Sequence, residues 1–577
     1  MAVINLATIF NKKVILLISC ILLAISLLNF ALFIENTDLH LGWFGLISTL
    51  SISYFASVML LIISFLLNIK FLLNRKLFLA QIIALIVFLF LTPALFEGTI
   101  RFRSAYKVLG FSEYILRNGF INTNDIIYHN WPGAIILISS IQYLTTSDFC
   151  IYIVKYYPSL IELLYLLPLF IFYNKLTTNT RIVWISIFIF YLLNFLNQDY
   201  LSPQSISYFL YLLMLIILIG TMVKSDLYVK WTLDDPRTRF LAFTIFVGIA
   251  VSHILTSVFL LSILIGINCY LYLYNKYSKD VYRFSSESIN IIRIFSFFCI
   301  IFFLIWTFYG AMSFLEQHLV PSLIELFNLD LVLHHNLNER VAGSFSHVVI
   351  SQLAILSVIM SMALMLLGFL NNRKSINNTS LLAILISIVA ILPIYPYGGE
   401  MLMRIFLFAI PIISFMMAQV ILSKRLWILI ILFLAMMPLS HILIHYGNER
   451  FDYVSPAEIS FFDFYFQKCS DLKIIGGFPV YAYKFQEKLL GIDLDQALDK
   501  NKRNFNKQNL NNDNYLIAIG LSEKIQYEQF YNDTIIIPCI ESYLNNYTNC
   551  KKIYDNNDVG LFYCSRLNNS GTFNCVA

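Results

Sequence analysis

Apolar runs alternate with short polar stretches along most of the chain, and many approach the twenty or so residues that a helix needs to cross a bilayer core of about 30 Å. Read in order, they predict membrane spans near 14–34, 46–69, 77–96, 157–174, 182–198, 205–222, 240–252, 254–274, 294–312, 346–370, 381–396, 404–422 and 426–445. The run from 240 to 274 has no charged residue and is too long for one straight helix, so a break is placed at Ser252-His253. The first run, Val14 to Phe33, follows Lys12 and Lys13 as a signal peptide would, but its length and the missing small-residue cleavage site predict a retained span.

The pattern changes at Asn448. From there Asn, Asp, Lys and Gln are frequent and apolar runs are short. Leu472–Ile475, Tyr515–Ile519, Thr534–Pro538 and Gly560–Tyr563 read as buried strands bounded by turn residues, with helices between them. The expected architecture is mainly α: a polytopic transmembrane helical bundle of about 13 spans over 1–447, with an outer loop at 97–156, and a small extracytoplasmic α/β domain over 448–577.

Composition agrees with the pattern. At 577 residues, 59% hydrophobic and 13% charged, the chain is too apolar for a soluble globular protein. Its net charge of +5 does not point to nucleic acid, because the basic residues fall in short loops. Those loops hold Lys12/Lys13, Lys70/Arg75/Lys76, Lys175/Arg181, Lys224/Lys230/Arg237/Arg239, Lys276/Lys279/Arg283, Arg373/Lys374 and Lys424/Arg425. The positive-inside bias makes them cytoplasmic, with the N-terminus, and sends the remaining loops and the tail outside. The same parity requires the run 134–146 to be re-entrant or to lie on the surface. Five of the nine cysteines lie in the tail, which predicts one or two disulfides there with one thiol left over.

On this topology Glu97, Arg101, Trp131, Asp199, Gln204, His253, Glu400 and Arg404 collect at one face, and ionisable groups at span ends are functional candidates. The stretch Glu97 to Gly133, with Arg101, Arg103 and the turn Trp131-Pro132-Gly133, reads as the floor of a site. Each residue has a simpler reading beside the functional one. Glu97 is a base or metal ligand, or a helix-end charge. Arg101 and Arg103 bind phosphate, or snorkel to headgroups. Asp199, flanked by Gln198 and Gln204, is a site carboxylate, or closes a turn. His253 is catalytic, or a packed turn histidine. Glu400 and Arg404, four apart, share a helix face as an ion pair, and Gly398-Gly399 before them open backbone amides to an anion. His334-His335 lacks partners for a metal site.

Three stretches, Tyr128-His-Asn-Trp-Pro-Gly133, Asn197-Gln-Asp-Tyr-Leu-Ser-Pro-Gln-Ser-Ile-Ser-Tyr208 and Tyr397-Gly-Gly-Glu-Met-Leu-Met-Arg-Ile-Phe-Leu-Phe408, resemble a large family of multi-pass membrane proteins of archaea and Gram-positive bacteria grouped with the GT-C glycosyltransferases. The tail phrase Lys552 to Gly560 is similar to phrases that close many of them. The resemblance implies a GT-C-like bundle that transfers a sugar from a polyprenyl-phosphate carrier at the outer membrane face. A carboxylate takes the acceptor's proton, and arginine or a helix N-terminus meets the departing phosphate. On that expectation Glu97 or Asp199 is the base and Arg101 with Arg404 the phosphate clamp, with Arg103, Trp131, Gln204, His253 and Glu400 completing the binding set. Some members use a divalent ion, Mg or Mn, and some do not. The partners expected are the lipid-linked donor and membrane lipids, with a glycan, lipid or protein acceptor and no nucleic acid.

The chain departs from the family at Ser104-Ala105-Tyr106-Lys107, where GT-C first loops commonly carry an acidic motif, so Glu97, Glu113 and Asp125 remain as that loop's carboxylates. A transporter or flippase of lipid-linked glycans is the alternative, but such proteins often show internal repeats or helices broken at mid-membrane. A non-catalytic scaffold displaying the tail leaves the clustered charges unexplained. No Walker loop, dinucleotide glycine fingerprint or zinc-protease motif offers another enzyme class.

Overall fold

The structure is a computed structural model that describes residues 12–124, 126–145, 147–223, 231–277, 284–316, 334, 341–373, 375–392, 400–421, 427–469, 472–476, 491–492, 494, 498–499, 504–505 and 514–565. Its helices, in chain order, are α1 (Lys12–Glu35), α2 (Ile52–Leu72), α3 (Arg75–Glu97), α4 (Arg103–Asn118), α5 (Gly133–Leu144), α6 (Ser147–Leu176), α7 (Thr180–Leu193) and α8 (Pro203–Met222). They continue as α9 (Pro236–Ala250), α10 (Ile254–Tyr277), α11 (Ser286–Gly310), α12 (Phe345–Asn371), α13 (Ile376–Val389), α14 (Met401–Ile421) and α15 (Trp427–Tyr446). Among the described residues, nine of these, α1, α2, α3, α6, α8, α10, α11, α12 and α14, are long and apolar enough to cross a membrane, which makes the chain a multi-pass membrane protein. The expected spans 182–198, 240–252 and 381–396 fold as α7, α9 and α13, of 14, 15 and 14 residues. These fall short of a bilayer core. In α7 every residue from Val183 to Leu193 is buried, so this helix packs against other helices along its length.

Polar side chains tie the apolar helices together, as they do where lipid offers no alternative partner. Ser19 of α1 and Ser64 of α2 meet through their hydroxyls at 3.0 Å, and Gln81 of α3 donates to Ser64 Oγ at 2.8 Å. The run 240–274 breaks where expected: α9 ends at Ala250 and α10 begins at Ile254. Thr256 N donates to His253 Nδ1 at 3.3 Å, so the histidine caps the second half. The turn before α5 docks on this break, with Gly133 N donating to Val251 O at 2.8 Å. A Cβ at Gly133 would stand 2.6 Å from Ser252 Oγ and 2.8 Å from Val251 Cγ2, so only glycine allows the approach. At twelve residues, α5 is too short to span.

Beyond Tyr446 the chain forms α16 (Glu449–Asp452), α17 (Pro456–Lys468) and a mixed sheet with helices. The strands are β1 (Lys473–Ile475), β2 (Gly491–Ile492), β3 (Leu498–Asp499), β4 (Asn504–Phe505) and β5 (Tyr515–Ile519), then α18 (Leu521–Phe530), α19 (Ile536–Asn546), β6 (Cys550–Asp555) and β7 (Gly560–Cys564). Five strands order as β2-β1-β5-β7-β6, with β1 parallel to β2 and β5 and the remaining pairs antiparallel. Cys550 and Cys564 stand opposite each other on β6 and β7 and are disulfide-bonded; Cys539 is disulfide-bonded too, and Cys469 is free.

One expected strand is a helix. Thr534–Pro538 runs into α19 because Asp533 Oδ1 accepts from Ile535 N at 2.9 Å and Ile536 N at 3.0 Å, which starts a helical turn. Ile536, Ile537, Ile540 and Leu544 then fall on one buried face, and Pro538 sits in the first turn, where its missing N–H costs nothing.

The loop after α3 is packed between the bundle and the tail. Ile100, Ala105, Val108 and Leu109 share one apolar cluster with Ile135 and Ile138 of α5 and with Val454, Phe461, Ile474, Leu516 and Leu561 of the C-terminal part. Thr99 Oγ1 donates to Val454 O at 2.8 Å across this junction.

Candidate functional site

The residues singled out by the sequence fall into two neighbouring groups. The first is centred on Arg101, which is 2% exposed. Its Nε donates to Glu449 Oε1 and Oε2 at 2.8 and 2.9 Å, and its Nη2 to Glu449 Oε2 at 2.5 Å and His445 O at 2.9 Å. Nη1 donates to His445 Nε2 at 2.8 Å and to Asp199 Oδ2 at 3.4 Å. The five N–H bonds of the guanidinium are thereby spent inside the protein. Because arginine only donates, His445 Nε2 accepts, which assigns its proton to Nδ1. Glu97 ends α3 beside Glu449, buried, and neither of its carboxyl oxygens has a hydrogen-bond partner among the described residues. Asp199 is also buried, and burial lifts its carboxyl above the usual range even with Arg101 beside it.

Arg103 opens α4 and reaches the C-terminal part. Its Nη2 donates to Ser522 O at 3.1 Å, and its guanidinium lies 4.4 Å from the centre of the Phe451 ring. Glu458 and Glu523 are its acidic neighbours, and Glu458 is itself fixed by Ser455 N and Ser522 N, both at 2.9 Å.

The second group is centred on Arg404, in the first turn of α14. Its Nη1 donates to the side-chain oxygens of Gln198 and Gln204 and its Nη2 to Glu400. Gln204 is placed by the start of α8, where Ser202 Oγ accepts from Ser205 N at 3.1 Å in a capping box behind Pro203. His253 lies close enough to Arg404 for the cation, after burial, to help push the imidazole down to about 3, so it is neutral. Its Nδ1 is held at 2.8 Å from Thr256 Oγ1. Trp131 packs edge-on against Phe314 with ring centres 4.8 Å apart. Gly398-Gly399, Asp125 and His335 lie outside the described residues.

A cavity of about 390 Å³ with a mixed polar and apolar lining opens between these groups and the start of the C-terminal part. Its lining includes the hydrogen-bonded set Gln198, Glu400 and Arg404, the linked pair His347 and Asn448, Asp452, and the aromatic rings of Phe102, Phe195 and Tyr200. Arg404, Gln198 and Glu400 thus face the cavity, whereas Glu97, Arg101, Asp199, Gln204, His253 and Trp131 stand outside its lining. Two lining residues have left-handed backbones despite having side chains, Phe102 at φ 68° and Asn197 at φ 51°. Such strain persists only where surrounding contacts enforce it. Phe102 is held under the Arg101 guanidinium at 4.3 Å and against the Tyr200 ring at 5.1 Å.

Phe195 also lines a second cavity, of about 610 Å³, that runs between α7, α12, α14 and α15. Its wall is apolar except for Ser357, Ser361 and Ser440. Along α12 it extends from Leu353 to Leu367, roughly 20 Å of helix rise. Leu356, Met360, Leu367 and Met436 of this wall are exposed, so the groove opens sideways.

Sequence reasoning missed Glu449, Asp452, His347 and His445. The first two lie in the polar segment just past the last apolar run, where nothing marks them out, and the histidines sit in apolar runs. Glu162, inside α6, was missed for the same reason: it is fully buried, accepts from Asn194 Nδ2 at 2.7 Å, and has its other oxygen unpartnered among the described residues.

Among the described residues no group of three or more His, Cys, Asp or Glu side chains is arranged to hold a metal. Asp199 and Glu449 direct their carboxylates at Arg101, so this pair does not fit a divalent ion.

No family model and no curated protein matches the chain. Among solved structures it is similar to the oligosaccharyltransferase of Archaeoglobus fulgidus in complex with zinc and sulfate, at 12% identity and a TM-score of 0.44, over 72% of this chain and 62% of that one. The same enzyme tethered through a disulfide to an acceptor peptide containing the NVT sequon gives 11% and 0.48, over 80% and 71%. The oligosaccharyltransferase AglB of that organism with an inhibitory peptide and a dolichol-phosphate gives 11% and 0.45, over 70% and 63%. The chain therefore spans less than two thirds of the length of two of these structures.

Proposed function

We propose that the protein is a GT-C-like membrane glycosyltransferase that takes a sugar from a polyprenyl-phosphate-linked donor and passes it to an acceptor at the outer face of the membrane. The reading includes the tail from Asn448 onward as an extracytoplasmic domain and the N-terminus as cytoplasmic. The observation that carries it is the shared lining residue Phe195, on which a cavity with an arginine in its wall and an apolar groove open to the side both abut. A ligand that fits both has a charged head and a long hydrocarbon tail.

The head belongs at Arg404. Burial in a low-dielectric corner strengthens a charge-assisted contact to phosphate, and Gln198 and Glu400 hold the guanidinium in place until the ligand arrives. The prenyl chain belongs in the groove along α12. Asp199 and Glu449 are the anionic pair that fixes Arg101, and through it the first loop and α16. The lining of the second cavity is apolar, which suits a hydrocarbon tail better than a sugar in transit, and this favours a transferase over a flippase.

Binding of sugar-free undecaprenyl phosphate, followed by intrinsic tryptophan fluorescence in detergent, tests the reading. Wild type is expected to bind, Arg404→Ala to bind roughly 10- to 100-fold more weakly through loss of a charged hydrogen bond, and Leu356→Trp to block the tail. Equal affinity in wild type and both variants would exclude this cavity as the lipid-phosphate site.

A further inference from the structure

We infer that Asp452 accepts the proton of the attacking hydroxyl in the transfer reaction, a role that rests on the cavity being the donor site proposed above. The neighbouring carboxylates are otherwise engaged or enclosed. Glu400 pairs with Arg404, and Glu449 and Asp199 pair with Arg101. Glu97 is sealed behind Glu449. Asp452 lines the cavity, is half-buried, and makes no hydrogen bond or ion pair with a described residue.

Its position is fixed by what surrounds it. The helix α16 is anchored at its start by Glu449 on Arg101. Phe451, the residue before Asp452, packs on the Phe530 ring at 4.3 Å and beneath the Arg103 guanidinium at 4.4 Å. Asn448 Oδ1 lies 3.2 Å from His347 Nδ1 and accepts from Gln529 Nε2 at 3.1 Å. A carboxylate carried on so constrained a segment meets its substrate with little rearrangement.

The charged groups facing Asp452 come from several elements: Glu449 from its own helix, Glu97 from the end of α3, Asp199 from the connection between α7 and α8, and Arg101 and Arg103 from the first loop. Burial and then Glu449 push its carboxyl up to about 7, while Arg101 and Arg103 pull the other way. A group that titrates there has a populated basic form at neutral pH and enough basicity to take a proton in the transition state.

The step balances without a further reactant. The acceptor oxygen forms a bond to the anomeric carbon while the bond from that carbon to the phosphate oxygen breaks. The electron pair leaves with the lipid phosphate beside Arg404, and the acceptor's proton passes to the Asp452 carboxylate. Arg404 and Asp452 both line the one cavity, so the leaving group and the base can be served from the same space.

The test compares wild type, Asp452→Asn and Asp452→Glu in membrane vesicles supplied with a mixed pool of mannosyl-, glucosyl- and galactosyl-phosphoundecaprenol, and measures undecaprenyl-phosphate affinity in parallel. Asp452→Asn is expected to lower kcat by at least about 100-fold with lipid affinity unchanged, and Asp452→Glu to restore part of it. In wild type kcat/KM should rise with pH to a plateau above about 7, and the asparagine variant should lose that limb. Wild-type turnover with the acid limb intact in Asp452→Asn overturns the assignment, as does a loss of lipid affinity that accounts for the lost turnover. Failure of the wild-type protein to bind undecaprenyl phosphate is a different result and removes the donor site itself.

Discussion

Arg101 and Glu449 stand 348 positions apart in the chain and close on each other at 2.8 and 2.9 Å through Nε and at 2.5 Å through Nη2. The pair joins the first loop to the segment that leaves the last bundle helix. Removing one member of a buried ion pair strands the other charge, at a cost of about 3–5 kcal/mol. Arg101→Ala should therefore lower the thermal unfolding midpoint more than Arg404→Ala does, because Arg404 lies at a cavity where water can reach its partners. Fluorescence-detected size exclusion after stepped heating would show it; equal midpoints for the two variants would deny Arg101 its structural role.

Glu523 gives the junction a pH dependence. Its Oε2 accepts from Gly520 N at 2.8 Å, and burial followed by the nearby Glu458 pushes its carboxyl from 4.5 up to about 7. Between those values the folded protein binds more protons than the unfolded chain, so stability falls as pH rises through the window and is lowest above it. The raised Asp452 carboxyl acts in the same direction. The unfolding midpoint should be higher at about pH 5.5 than at about pH 8, and Glu523→Gln should remove part of the difference. A variant with the full wild-type slope would place the titrating group elsewhere.

Glu162 is a polar group held within an apolar helix, facing a void of about 10 Å³ that Gln198, Gln204 and Ser205 also line. A void of that size holds one water at most. Glu162→Gln retains an oxygen for Asn194 Nδ2 and should leave stability close to wild type. Glu162→Leu strands that donor and should cost about 1–3 kcal/mol. The thermal midpoints of the two variants in the same detergent decide the matter, and a leucine variant as stable as the glutamine one would refute it.

Much of the bundle was legible in the sequence, because an apolar run of bilayer length has few alternatives to a helix. The break at Ser252-His253 was legible as well, since a polar pair halfway along an uncharged run marks a change of direction. The full span count was not. Runs such as the one in α7 are apolar because they are surrounded by other helices, and hydropathy does not distinguish burial in protein from burial in lipid. Thr534–Pro538 looked like a strand because its β-branched residues outweighed the local signal of Asp533, which starts a helix. Of the polar residues that the sequence marks at span ends, Arg404, Glu400 and Gln198 line the cavity. The companions of Arg101 could not be read off, because Glu449 lies hundreds of residues away and no local pattern links the two. Asp452 was overlooked because an aspartate in an Asn- and Asp-rich tail carries no mark of what faces it.

The apolar cluster shared by α4, α5 and the C-terminal sheet has a consequence for biogenesis. At about 5–20 residues per second, a ribosome needs roughly 20–70 s to get from Arg101 to Glu449. Throughout that interval the first loop has neither its apolar cover nor a counter-ion from the tail. The cavity therefore cannot be completed until Asn448, Phe451, Asp452 and Phe530 have been made, and a chain truncated before Glu449 would insert into the membrane without ever building one. Such a fragment would expose the face of α4 that Phe461, Ile474 and Leu561 cover in the complete protein. That exposed face is the kind of surface by which quality-control proteases and chaperones recognise unfinished chains.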